Sequence, residues 1–274
     1  MFEGKTYVIT GIADEYSLAM YVAKEIVNNG GRVICTGLGV SEFHQNLSEK
    51  AQQFLNDSYE LFKNSVKKEL GENVLIHNLD VTISENIEAF SKFLQEKNVK
   101  VDGLLHAIAM DKTIRNKKVK PLLEVNFNEF CDTMQVSAFS LVSLISSLRI
   151  NELLNKGSSI CSLSYIAAQK VTFHPYRNIS IAKAALERIT IELADELGRK
   201  DATRVNCVRF SPYLGSKAGT ATLSENDVDF AGKKSPLGNA NPKDLALEVV
   251  HLLRPDLKIT GEVRHVDGGY NIVG

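Results

Sequence analysis

A chain of 274 residues is long for one α/β unit and short for two, and 44% hydrophobic residues can fill a sizeable core. Thirty-two Lys and Arg stand against 33 Asp and Glu, interspersed, for a formal net charge of −1, which argues against a nucleic-acid or membrane-surface protein. Cys35, Cys131, Cys161 and Cys207 lack metal-ligand or disulfide spacing, the N-terminus has no signal layout, and no uninterrupted apolar run nears the ~18 residues of a membrane span, so the expectation is a cytoplasmic protein without metal.

In chain order, Thr6 to Thr10 reads as a buried strand ending in Gly11. Leu18-Ala19-Met20, Val22-Ala23 and Ile26-Val27 then recur at helical spacing up to Asn29-Gly30-Gly31. Arg32 to Thr36 gives a second strand. The polar stretch 41–70 carries Phe54, Leu61, Phe62 and Val66 at roughly helical intervals, which predicts a helical insertion. Strands follow at Val74–Ile76, Gly103–Ala107, Ser158–Leu163, Arg204–Val208 and Glu262–Val266, separated by helical patterns over 84–97, 126–154, 178–199 and 242–253. The alternation predicts an α/β fold: a single doubly wound Rossmann-type domain over 1–274, with about seven parallel strands and helices on both faces.

Ligands of such sheets sit at the carboxyl ends of the strands. After the first strand stands Gly11, and Ser17 and Leu18 open the helix; Ser17 is placed to cap it and to offer a hydroxyl to a phosphate over the helix N-terminus. Alone, this loop is equally an ordinary strand–helix turn. After the third strand, Asp80 can accept an adenine amine while Val81 offers its N–H. After the fourth, Ala107 and Ile108 let backbone approach a ribose. No acidic residue ends the second strand, where Cys35-Thr36-Gly37-Leu38 stands without a nearby Arg or Lys, so NADH and NADPH both stay open.

The chemistry concentrates at Tyr165, after the fifth strand, and at Tyr176 and Lys183. If 176–183 open a helix, a seven-residue separation leaves Tyr176 and Lys183 only about 20° apart around its axis, on one face. Lys183 would then donate to the nicotinamide ribose and lower the pKa of a nearby phenol, which stabilises an oxyanion as hydride arrives. No metal is needed for this.

These residues resemble the short-chain dehydrogenase/reductase superfamily, and within it the NAD(P)H-dependent enoyl-acyl-carrier-protein reductases of type II fatty-acid synthesis. Most of the superfamily places tyrosine four residues before lysine, where this chain has Ile179. The enoyl reductases use Tyr-x6-Lys, here Tyr176 and Lys183, an upstream Ser-Tyr, here Ser164-Tyr165, and Gly-x5-Ser-x-Ala, here Gly11, Ser17 and Ala19. The resemblance implies a trans-2-enoyl thioester on acyl carrier protein or CoA, hydride delivery to the β-carbon, Tyr176 on the oxyanion, Lys183 on the ribose, and Tyr165 in support. It further implies cofactor contacts at Pro212, Tyr213 and Ser216, substrate contacts at Ala109 and Asp111 beside the tyrosines, and a homotetramer.

The chain departs from the family at several points. Tyr165 and Tyr176 are eleven apart, Ser211 replaces a glycine in the nicotinamide turn, Ser216 follows a one-residue insertion, and Asp111 puts a carboxylate beside the substrate. These changes suit a specialised relative, such as one in secondary metabolism. Reduction of a keto or β-ketoacyl group, or silent dinucleotide binding, are the alternatives. Residues 212–235, polar with few large apolar anchors besides Val228 and Phe230, are expected to form a mobile lid.

Overall fold

The computed structural model describes residues 1–273, the Ala218 side chain excepted. The first half runs β1 (Thr6–Ile9), α1 (Leu18–Asn28), β2 (Arg32–Gly37), α2 (Glu49–Leu70), β3 (Leu75–Asn78), α3 (Ser84–Glu96) and β4 (Val101–His106). A small hairpin, β5 (Ile114–Arg115) and β6 (Lys118–Val119), precedes α4 (Phe127–Met134) and α5 (Ser140–Ile150). The second half runs β7 (Leu154–Ser164), α6 (Asn178–Asp201), β8 (Arg204–Phe210), α7 (Lys217–Thr222), α8 (Glu225–Lys234), α9 (Pro242–Leu253) and β9 (Val263–Val266).

Seven strands form one parallel sheet in the order β3-β2-β1-β4-β7-β8-β9. Strand pleating sends alternate side chains to opposite faces, and both faces are apolar. Tyr7 and Ile9 of β1 meet α1, α2 and α9 through Met20, Ile26, Phe62 and Val249. Val8 between them meets α3, α5 and α6 through Phe90, Leu144 and Leu186. The fold class read from the alternation of elements is therefore the one observed. Strand order reverses between β1 and β4, which opens a crevice at their carboxyl ends.

Two stretches, 126–154 and 212–235, differ from the sequence reading. The helix expected over 126–154 ends at Ile150, where a turn with Glu152 at φ 55° leads Leu154 into β7. The apolar residues Ile150, Leu153 and Leu154 fit either period, and the turn decides between them. A five-residue π turn, Gln135–Phe139, also separates α4 from α5. Phe127–Ile150 is long and apolar enough, by length and composition alone, to cross a membrane, but half of its most apolar window is buried in the protein, as in a core helix.

Within 41–70, a single helix α2 starts where the Ser48 hydroxyl accepts from Ala51 N. It buries Leu55, Phe62 and Val66 but leaves Phe54 and Leu61 exposed. Phe62 lies so close to Gly37 that a Cβ there would stand 2.3 Å from its ring. Residues 212–235 are two capped helices with anchors, in place of the sparsely anchored loop expected. Ser224 and Asp227 form a capping box on α8, Leu223 and Ala231 are buried, and Phe230 stacks on Phe173 at 4.0 Å. An aromatic ring at position 173 was the missing partner.

Candidate active site

The crevice begins where β1 and β4 end. Gly11 has φ 81°, and a Cβ there would stand 2.1 Å from the Ala107 carbonyl oxygen, so only glycine fits. The Thr10 hydroxyl donates to Leu105 O at 2.9 Å and accepts from Ala107 N at 3.3 Å, locking the strand ends. Leu18 opens α1 beside this lock.

Ser17 does not cap α1 as expected. Its hydroxyl accepts from Ala13 N and Asp14 N and donates to Asp14 Oδ1 at 3.0 Å, because the loop folds back on it. No side chain caps α1 among the described residues, so its first N–H groups and dipole are left to an anion. Glu15 of the same loop is tied to α2 by Lys68 at 3.0 Å and Ser65 at 3.2 Å.

Beyond β3, Asp80 lies with buried Val81 at the crevice rim. Asp80 Oδ1 accepts from Thr82 N at 2.8 Å, and Oδ2 meets His44 Nε2 at 3.3 Å. His44 reaches it from the stretch preceding α2. Sequence reasoning missed this histidine because no motif marks a contact across 36 residues.

At the centre, Lys183 on α6 donates to Ile108 O at 3.2 Å and Leu163 O at 3.0 Å. An ammonium has three N–H donors, so one is left for a ligand. Burial lowers its pKa to about 8, and the Glu187 carboxylate works against that lowering. His106, which ends β4, is fully buried, and burial followed by the Lys183 charge lowers its pKa to about 3. Ser140 donates to Val136 O at 2.6 Å, so its oxygen accepts from His106 Nε2 at 2.7 Å, which makes His106 a neutral Nε2–H tautomer. The π turn also supplies Ser137, which holds Met110 N and O at 2.9 and 3.0 Å.

Tyr176 does not share a helical face with Lys183. α6 starts at Asn178, and Arg177, at φ 53° and ψ −110°, breaks the chain away from helical geometry just after Tyr176. Tyr176 instead meets Tyr165 edge-on, with ring centroids 5.2 Å apart, and His174 at 4.7 Å. Asp227 of α8 lies 3.5 Å from His174, and Thr222 of α7 faces the phenol.

The expected lowering of phenol pKa by Lys183 is also corrected. Burial raises both phenols, Tyr165 further through Tyr270 and Tyr176 further through Tyr165 and Asp227. Both tyrosines are therefore neutral hydrogen-bond donors over the physiological range.

The remaining expected contacts divide. Ala109 is exposed at the crevice edge. Asp111 is a local brace: Oδ1 accepts from Thr113 N at 2.8 Å and its hydroxyl at 2.7 Å, with Thr133 at 3.3 Å and Asn178 at 3.5 Å. Pro212 is buried, Tyr213 lies edge-on to Phe210 and beside Tyr21 of α1, and Ser216 caps α7 by accepting from Gly219 N at 3.1 Å. The Ser211 hydroxyl turns inward and accepts from Ala240 N at 3.0 Å, so it braces the turn before α9. Among the described residues no group of three or more His, Cys, Asp or Glu is placed to hold a metal.

One further network was not legible beforehand. Glu187 of α6 and Arg209 of β8, each about a tenth exposed, form a bidentate pair at 2.8 and 2.6 Å. Ser164 donates to Glu187 Oε1 at 2.6 Å, and Arg209 also donates to Gln169 Oε1 and to His265 Nε2. Removing one partner of a buried pair costs about 3–5 kcal/mol, because the other charge is stranded.

A parallel sheet with this strand order, a glycine-dependent approach at its switch point and a Tyr–Tyr–Lys group define a short-chain reductase-type oxidoreductase. The family model described as "Enoyl-(Acyl carrier protein) reductase" matches residues 11–271, and the chain belongs to that family. It is similar to enoyl-[acyl-carrier-protein] reductase [NADH] 1 of Rhizobium meliloti, 30% identical over 100% of this chain and 93% of the relative. The Aquifex aeolicus reductase is 29% identical, with 100% and 94% covered. The solved FabI–NADH complex of Alistipes finegoldii superposes with a TM-score of 0.84 at 28% identity, covering 100% of this chain and 90% of that one. The Bacillus cereus reductase with NADP+ and indole naphthyridinone gives 0.82 at 25% identity, with 100% of both covered.

The lysine carries a pH prediction. If the charged form holds a dinucleotide, a pKa lowered to about 8 means that affinity should be full below that pH and fall as pH rises through it. Titration calorimetry with NADH between pH 6.5 and 9.5 measures it, and Lys183→Met should abolish both the affinity and the limb. Unchanged affinity in that variant contradicts the assignment.

Proposed function

We propose that this member of the enoyl-acyl-carrier-protein reductase family reduces the carbon–carbon double bond of an enoyl thioester, carried on acyl carrier protein or CoA, with NADH or NADPH. The carrying observation is the meeting of Tyr165 and Tyr176 at the strand ends where Lys183 is anchored. The NADH and NADP+ named for its relatives support either cofactor.

The site fits a dinucleotide on three counts. α1 has no side-chain cap, the Gly11 approach admits no Cβ, and Lys183 has a donor to spare. Gly11, Ser17 and Leu18 frame the pyrophosphate, Asp80 and Val81 the adenine, Ala107 and Ile108 the ribose, and Pro212, Tyr213 and Ser216 the nicotinamide side. The bound cofactor supplies the hydride. Lys183 holds the ribose hydroxyls, and Tyr176, kept protonated by burial, donates to the oxygen on which negative charge develops. Tyr165 fixes the Tyr176 ring and supplies a second hydroxyl. Ala109 borders the substrate, and Asp111 shapes its wall through Thr113 and Thr133.

We read the chain as one nucleotide-binding unit with the α2 region as a helical insertion and 212–235 as a lid that opens to admit substrate. Its seals are the Phe173–Phe230 stack and the His174–Asp227 contact. We further read it as a cytoplasmic homotetramer with neither nucleic acid nor membrane as partner. Balanced charge supports the latter, and exposed Phe127, Phe139 and Ile150 support assembly.

The function is tested by following NADH and NADPH oxidation with enoyl and β-ketoacyl thioesters in parallel. Enoyl turnover should exceed ketoacyl turnover by about tenfold or more, a difference of about 1.4 kcal/mol in barrier. A ketoacyl preference, or cofactor binding without oxidation, contradicts it. For the lid, amide exchange over 212–235 should slow when cofactor binds, and equal protection in both states removes the lid. Light scattering should give four chain masses, and a monomer contradicts assembly.

A further inference from the structure

We propose that Glu187, held by Arg209, is a positioning residue that supports the charge of Lys183 and thereby sets the pH range of cofactor binding. This rests on the reading of Lys183 as a cofactor ligand.

Lys183 and Glu187 are four residues apart on α6, so they share a face one turn apart. They also share a strand end: Leu163 O accepts from Lys183, and the next residue, Ser164, donates to Glu187. The carboxylate cannot swing away, because Arg209 grips both of its oxygens. Arg209 is fixed in turn by Gln169 and His265. Arg209 donates to His265 Nε2 at 3.1 Å, so that nitrogen accepts and Nδ1 is the side that donates to Asp267 Oδ2 at 3.1 Å. The chain Lys183, Leu163-Ser164, Glu187, Arg209, His265, Asp267 thus runs from the cofactor lysine to the end of β9.

The groups that bear on the lysine charge come from three elements. His106 of β4 is neutral and buried, so it sets no like charge against the ammonium. Cys207 of β8 is pushed up to about 12 by burial and stays a neutral thiol. Among the described residues, Glu187 of α6 is the carboxylate that supports the ammonium against burial. Arg209, with His265 and Asp267 behind it, acts on Lys183 through Glu187.

A pair that only holds the fold and a pair that sets charge respond differently to substitution. Removing the carboxylate with Glu187→Gln should move the alkaline limb of NADH affinity to lower pH. Removing the guanidinium with Arg209→Met leaves an unneutralised carboxylate and should move the limb to higher pH. A shift of about one pH unit changes the charged fraction above the limb about tenfold. NADH titration calorimetry reads this without any acyl substrate.

The double variant Glu187→Gln with Arg209→Met strands neither charge, so it covers the case where Arg209→Met alone does not fold. Its limb should also lie below that of the unaltered protein. Limbs that stay in place, or that move in the same direction in both single variants, overturn the inference. Lys183→Met separates the two readings. If it binds NADH normally, the lysine assignment itself fails; if it loses binding while the other limbs are unmoved, only the role of Glu187 fails.

Discussion

An ammonium group buried at the junction of two strand ends is the constraint around which the crevice is organised. Lys183 gives up water and receives two backbone carbonyls, Ile108 O and Leu163 O, in exchange. Neutral acceptors compensate only part of the desolvation of a charge, which is why burial drags the pKa down to about 8. Everything adjacent follows from keeping that charge in place. β4 and β7 must end in register, the neighbouring histidine must stay neutral, and a carboxylate must stand one turn along the helix.

The neutral histidine explains a local irregularity. His106 needs an acceptor that is not charged, and the π turn between α4 and α5 brings the Ser140 oxygen to it while spending the Ser140 proton on Val136. The same turn holds Met110 through Ser137 and so fixes the backbone just past Ile108. A regular helix through 135–139 would advance these serines differently. The irregular turn thus fixes the backbone two residues beyond the lysine's own acceptor.

The layered architecture was legible because alternation of buried strands and amphipathic helices depends on local pattern alone. The choice of Tyr165, Tyr176 and Lys183 as candidates was legible from spacing and family resemblance. Their geometry was not. Arg177 at positive φ places Tyr176 off the helix, and no residue type at 177 announces it. Ser17 and Ser216 were read by position as ligand contacts, yet their hydroxyls accept from backbone at Ala13, Asp14 and Gly219. Short polar side chains choose between backbone and ligand by distances of a few tenths of an ångström, below what a motif encodes. Glu187, Arg209 and His44 were missed because their partners lie 22 to 56 residues away in sequence.

The central claim is that Tyr176, not Tyr165, faces the charge that develops during reduction, while Lys183 serves the cofactor. Single-turnover NADH oxidation by Tyr176→Phe and Tyr165→Phe with an enoyl thioester tests this most directly. Tyr176→Phe should keep NADH affinity but slow the hydride step by about a hundredfold, the cost of one lost oxyanion donor at about 3 kcal/mol, with a smaller effect for Tyr165→Phe. A crippled Tyr165→Phe beside a mild Tyr176→Phe would reverse the two roles and contradict it.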